Sequence, residues 1–132
     1  MSAATLDTNV LLRLLLKDIP DQFQRARHLV SDTATDFAVP DIVFMELAFA
    51  LDHHYGFTRP QIAEVVRGAM SIPRLVCSFQ LIEATLDLYL AQAVLSFEDC
   101  YLAEYAHTSG SEPLWTFDRA LATRSTWARE VP

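Results

Sequence analysis

Residues 2–16 read SAATLDTNVLLRLLL. The first five, SAATL, are small, uncharged and β-capable, and they end at Asp7, a residue type that favours turns and helix caps. From Val10 to Leu16 the apolar stretch has the spacing of a helix that closes before Pro20. The segment therefore reads as strand, turn, helix, with a carboxylate at the junction. A strand that runs directly into a helix opens an α/β unit rather than a hairpin.

The alternation continues along the chain. From Asp21, DQFQRARHLVSD places Phe23, Ala26, Leu29 and Val30 at helical spacing. FAV at 37–39 is a second short strand, and Pro40 with Asp41 begins a helix containing VFMELAFA at 43–50, which Gly56 ends. TRPQIAEVVRGAM, from Thr58, is a further helix with Ile62, Val65, Val66 and Ala69 on one face. RLVC at 74–77 is a third strand, followed by a long helix over 79–94. Ser96 begins SFEDCYLAEYAHTSG, which stops at Gly110; PLWTF then makes a fourth strand ending at Asp118, before the helix RALATR. In the tail STWAREVP only Val131 hints at a fifth strand. No repeat, low-complexity tract or linker interrupts the pattern. Residues 1–132 are thus expected to form one domain, a three-layer α/β/α sandwich around a mainly parallel sheet of four or five strands.

Composition narrows the class of function. Hydrophobic residues make up 52% of the 132, with only 3 glycines, as a packed core requires. VLLRLLL is too short to span a bilayer, is broken by Arg13, and has no basic residues before it, so neither signal peptide nor membrane anchor is expected. Cys77 and Cys100 form no CxxC pair, and the histidines show no HxxxH or HExxH spacing. This argues against a disulfide scaffold or zinc site and fits a reducing cytoplasm. The net charge of -7, from 17 acids against 10 bases, opposes a protein that grips nucleic acid with its overall field. A cation held by several of those acids would reverse the sign locally.

Four acids stand out by position. In open parallel sheets ligands bind beyond the carboxyl ends of the strands, and there Asp7 follows SAATL while Asp118 follows PLWTF. Glu46 and Asp99 lie on helices expected to face the same edge. Converging carboxylates repel one another unless a divalent cation sits among them. Each acid also has a plainer reading. Asp7 and Asp118 can cap the helices after them, and Ser96 with Asp99 can form a capping box. Glu46 is the hardest to dismiss, because VFMELAFA reads as a buried helix with no base at i+3 or i+4, leaving only a path to the rim as the plain alternative.

LDTNVLL, the glutamate in VFMELAFAL, SFEDCYLAEYA and LWTFDRAL occur in this order over nearly the whole chain. In this the sequence resembles the PIN-domain family, and within it the VapC-type toxins of bacterial toxin-antitoxin pairs. The resemblance implies an endoribonuclease dependent on Mg²⁺ or Mn²⁺, with the family's acidic positions at Asp7, Glu46, Asp99 and Asp118 and its polar orienting positions at Asn9 and Thr116. Asp7 and Asp99 are then expected to touch the metal, with Glu46 or Asp118 acting through a water or orienting the nucleophile. It also implies RNA as substrate, a homodimer, and a cognate antitoxin whose tail lies across the site. Tyr101, Glu104 and Tyr105 depart from the small, alanine-rich helix common after the third acid, so Glu104 is either a surface residue or an additional acid.

Arg13, Arg119 and Arg124 lie near the acidic positions and are the expected phosphate contacts. Phe44, Phe49 and the leucine-rich first helix are candidates for the protein contacts, although core packing is the default for each. Two other classes fit less well. A phosphoacceptor receiver needs a lysine after a late strand, but the chain's only lysine is Lys17; a haloacid-type phosphatase needs DxD where this chain has DTN. A catalytically inactive PIN-like module that binds protein partners is the remaining alternative.

Overall fold

The computed structural model describes residues 2–132, and the chain divides into two compact units, one ending at Phe79 and the other running from Gln80 to Pro132. In the first unit, strand β1 (Ser2–Thr5) leads through helices α1 (Thr8–Leu16) and α2 (Pro20–Val30) to β2 (Thr35–Ala38). Helices α3 (Asp41–His53) and α4 (Arg59–Met70) then lead to β3 (Leu75–Val76). The order is β1-β2-β3 and every pairing is parallel, with Ala4 opposite Phe37 and Phe37 opposite Leu75. Leu6 N–H to the Ala38 carbonyl at 3.0 Å and Val39 N–H to the Val76 carbonyl at 2.9 Å carry the ladder to the ends of the strands.

Helix α3 is the centre of this unit. Val43, Phe44, Leu47, Ala48 and Leu51 are buried along one stripe, and the helix packs against α1 and α4, which contribute Leu11, Leu12, Ile62, Ala63 and Val66 to the core. The opposite stripe is open. Ile42 is 61% and Phe49 49% exposed, and Glu46 between them is exposed as well. The expectation of a buried helix is therefore corrected: α3 is amphipathic, and two exposed apolar residues disguise its solvent face. Glu46 bears no burial cost. Of the aromatic pair considered for protein contacts, Phe44 is fully buried, whereas Phe49 stacks on His53 at 4.0 Å.

The helix ends follow local chemistry. Thr58 and Gln61 form a reciprocal capping box ahead of α4, with Pro60 in its first turn. Gly56, at φ 66°, supplies the left-handed turn after α3. Helix α2 starts at Pro20, one residue before the expected Asp21, because proline suits a first helical position where no N–H is needed. Its expected apolar face is mostly open, with Ala26 alone buried.

The second unit holds α5 (Phe79–Ala91), which begins at its boundary, α6 (Phe97–Thr108), β4 (Leu114–Thr116), α7 (Arg119–Arg124) and β5 (Ala128–Glu130). Strands β4 and β5 are parallel, with Trp115 opposite Arg129, and Val131 N–H donates to the Thr116 carbonyl at 2.9 Å just beyond the ladder. The hint of a fifth strand at Val131 thus becomes a strand three residues earlier. Helix α5 stops three residues short of Val94, and Leu95 turns back into the core at 1% exposure. The fold is α/β with five parallel strands among the described residues, hydrogen-bonded as ladders of three and two. Cys77 and Cys100 form no disulfide, and no described helix is long and apolar enough to cross a membrane.

Truncation on the two faces of α3 separates them energetically. Leu47→Ala, at a site with no exposure, is expected to cost about 2–5 kcal/mol through lost burial and the cavity left behind. Ile42→Ala should cost less than about 1 kcal/mol. Denaturant unfolding of both variants checks the difference.

Candidate functional site

Leu6 is buried at the end of β1, and the chain turns there into α1. At Asp7 the backbone is still extended (φ -91°, ψ 175°), and an Asp7 carboxylate oxygen accepts the Val10 N–H at 3.1 Å. That bond satisfies one of the donors a helix start leaves unpaired. The second carboxylate oxygen keeps its lone pairs. Asp118 repeats the device after β4: its Oδ1 accepts the Leu121 N–H at 3.1 Å, while the Thr116 hydroxyl accepts the Asp118 N–H at 2.9 Å. Strand, cap and helix thus fix both acids through the backbone, and Thr116 fixes the approach to Asp118.

Asp99 stands in the first turn of α6, where Ser96 Oγ accepts its N–H at 3.1 Å. Its carboxylate is half-exposed at a helix start, a position that favours negative charge. Glu46 projects from the open face of α3. Asp7, Asn9, Arg13 and Glu46 belong to the first unit; Asp99, Thr116, Asp118, Arg119 and Arg124 belong to the second. Among the described residues, no three His, Cys, Asp or Glu side chains stand together in a way that could hold a metal ion. The donor chemistry of the four acids nevertheless suits a hard cation such as Mg²⁺ or Mn²⁺, which prefers carboxylate oxygen.

The first unit contains a cleft of about 450 Å³ between α1 and α2. Asp7, Asn9 and Arg13 line it from α1, so the structure brings three of the expected site residues together; Glu46 is not among its lining. Gln22 and Arg25 line it from α2, with Val10, Ala26 and Leu29 as its apolar part. Gln22 and Arg25 are not marked by the apolar periodicity that identifies this helix in the sequence. Their spacing was the available signal, since residues 22, 25, 26 and 29 fall on one helical face.

The arginines differ in freedom. Arg13 is engaged at both terminal nitrogens, by Asp18 at 3.2 Å and the Tyr55 hydroxyl at 3.0 Å. Its side chain is only 13% exposed, and its Nε is buried with no hydrogen-bond partner among the described residues. Arg119 is 86% exposed and pairs with Glu130 at 3.5 Å, while Arg124 reaches Gln92 at 3.3 Å.

Glu104 lies five residues beyond Asp99 on α6. Burial holds its carboxyl above the ordinary glutamate value of 4.5, with Asp87 adding to the rise, against the opposing effects of His107 and a hydrogen bond from Trp127. His107 itself lies flat on Trp127, with ring centroids 3.7 Å apart, and pairs with Glu112 at 3.1 Å.

Residues 4–125 match the family model of the PIN domain. Among solved structures the chain is similar to VapBC2 from Rickettsia felis, crystallised with a DNA fragment from its promoter. Identity there is 15%, coverage 99% of this chain and 98% of the other, and the TM-score 0.39. It is also similar to PAE2754 from Pyrobaculum aerophilum, with 21% identity, coverage of 99% and 90%, and a TM-score of 0.34. No curated protein matches the sequence significantly.

Two outcomes follow from this geometry. Asp7→Ala should lose about 1 kcal/mol of stability with the cap, whereas Asp7→Asn keeps it, since asparagine caps as well as aspartate; thermal unfolding of the pair decides. For Glu104, a folded value raised above the unfolded one means that the folded state binds the proton more tightly. Its contribution to stability is therefore full below pH 4.5 and is lost as pH rises through the raised value. Glu104→Gln should accordingly gain stability relative to the parent as pH increases through that window, as read by unfolding at stepped pH.

Proposed function

The chain belongs to the PIN-domain family, and on that premise we propose that it is a Mg²⁺- or Mn²⁺-dependent endoribonuclease, the toxin of a toxin-antitoxin pair. The family match over 4–125 carries the reading, because Asp7, Glu46, Asp99 and Asp118 all fall within it. Both units then belong to a single PIN-like domain over residues 1–132. The protein acts in the cytoplasm as a homodimer, held inactive by its cognate antitoxin.

The four carboxylates are the groups that would hold the cation, and the chemistry it supplies when bound is charge neutralisation at the phosphate and a lowered pKa for water. The chain's own contribution is orientation. Asp7 and Asp118 each give one oxygen to a helix start and present the other. Thr116 fixes the turn before Asp118; Asn9 is assigned the matching role beside Asp7. Arg119 and Arg124, exposed at either end of α7, steer the phosphate. Arg13 acts through its held position beside Asp7 rather than as a mobile cation. Water adds at phosphorus as the 3′-oxygen leaves, giving a 5′-phosphate and a 3′-hydroxyl.

The second reading is a catalytically inactive PIN-like module that binds protein partners, to which the exposed Ile42 and Phe49 of α3 would offer apolar contacts.

Incubation of total RNA with antitoxin-free protein separates the two. The nuclease reading expects discrete products with Mn²⁺ that vanish with chelator and fall at least a hundredfold in Asp7→Asn, a variant that keeps the helix cap. It also expects Mn²⁺ to raise the melting temperature of the parent but not of Asp7→Asn. Silence from folded protein in both assays leaves the binding module.

A further inference from the structure

We infer that the α1–α2 cleft binds one unstacked nucleotide of a single-stranded RNA, with Arg25 contacting its phosphate and Gln22 the edge of its base. This rests on the nuclease reading, because Asp7, in the lining of the cleft, is one of the family's acids. Volume comes first: about 450 Å³ lies within the roughly 300–1,000 Å³ of sites that enclose a small organic group.

The lining matches the three parts of a nucleotide. Arg25 supplies a cation for the phosphodiester, and Arg13 adds a second positive charge at the wall. Asp7 is the only acid in the lining; Arg13 is paired with Asp18 and Arg25 only loosely with Asp21, so Arg25 is the cation open to an anion. Gln22 and Asn9 offer carboxamides, each with donor and acceptor, which is what a base edge requires. Val10, Ala26 and Leu29 give an apolar surface for the base or ribose, and Leu29 remains 47% exposed in the free protein. RNA is read by sequence mainly where bases are unpaired and can be splayed into such a site.

The two arginines are prepared for different tasks. Arg13 is rigid, clamped by Asp18 and Tyr55, with its buried Nε lacking a partner among the described residues. Arg25 is weakly held: its contact with Asp21 is 3.7 Å long with both side chains more than three-quarters exposed. It can turn to an incoming phosphate without giving up a strong interaction. Because Gln22 and Arg25 are both exposed, their substitution tests binding without disturbing the core.

The test is fluorescence anisotropy with a labelled single-stranded oligoribonucleotide of mixed sequence, in an Asp118→Asn background so that the strand is not consumed. Arg25→Ala is expected to weaken binding about tenfold and to reduce the slope of log Kd against log salt by about one. Arg25→Lys should recover most of that loss. Gln22→Ala, measured in the otherwise unaltered protein, should redistribute the cleavage sites, whereas Arg25→Ala slows all sites alike through KM. If the parent binds RNA and all three variants retain its affinity, salt slope and cleavage pattern, the cleft assignment is overturned while the nuclease reading stands. If the parent neither binds nor cleaves RNA, both fall.

Discussion

Parallel strands cannot be joined by a tight turn, so each pair needs a crossover long enough to carry a helix. Most of this molecule follows from that constraint. In the first unit it accounts for the helical connections from β1 to β2 and from β2 to β3, whose helices α1, α3 and α4 pack on one another. In the second, one short helix links β4 to β5. The carboxyl end of each strand is then the place where backbone hydrogen bonding changes partner, and after β1 and β4 a capping aspartate settles the change.

Asp7 and Asp118 show what such a junction allows. A capping aspartate uses one oxygen for the helix and aims the other by the same bond, so the residue that shapes the turn also presents a fixed acceptor. Fold and chemistry therefore make the same demand of the side chain. An alanine substitution at either position removes both at once, and only the amide separates them.

The sequence revealed what local rules control. The cap at Asp7 and the glycine after α3 are fixed by residues within a few positions of one another, and they stand where the sequence put them. Parallel pairing followed from the alternation of strands and helices. The exposure of Glu46 is hidden in the sequence because Ile42 and Phe49 share its face, and hydrophobicity by itself does not say which apolar residues face solvent. The end of α5 was hidden in AQAV, whose residues favour continuing the helix; packing of Leu95, not a breaker, ends it. Arg13 could not be understood locally either, since Tyr55, which holds it, lies 42 positions away. The division of the strands into two ladders depends on long-range pairing, which no short stretch encodes.

The face-to-face packing of Trp127 on His107 has a practical side. Trp127 sits immediately before β5, while the other tryptophan, Trp115, lies on β4 and is 54% exposed. The two indoles thus occupy optically distinct surroundings, one in the turn before β5 and one on β4. Separation of β5 from α6 would part the Trp127 indole from its imidazole neighbour and leave Trp115 in water much as before. An intrinsic fluorophore thus abuts β5 and is placed to sense local fraying of that strand before the rest of the chain unfolds.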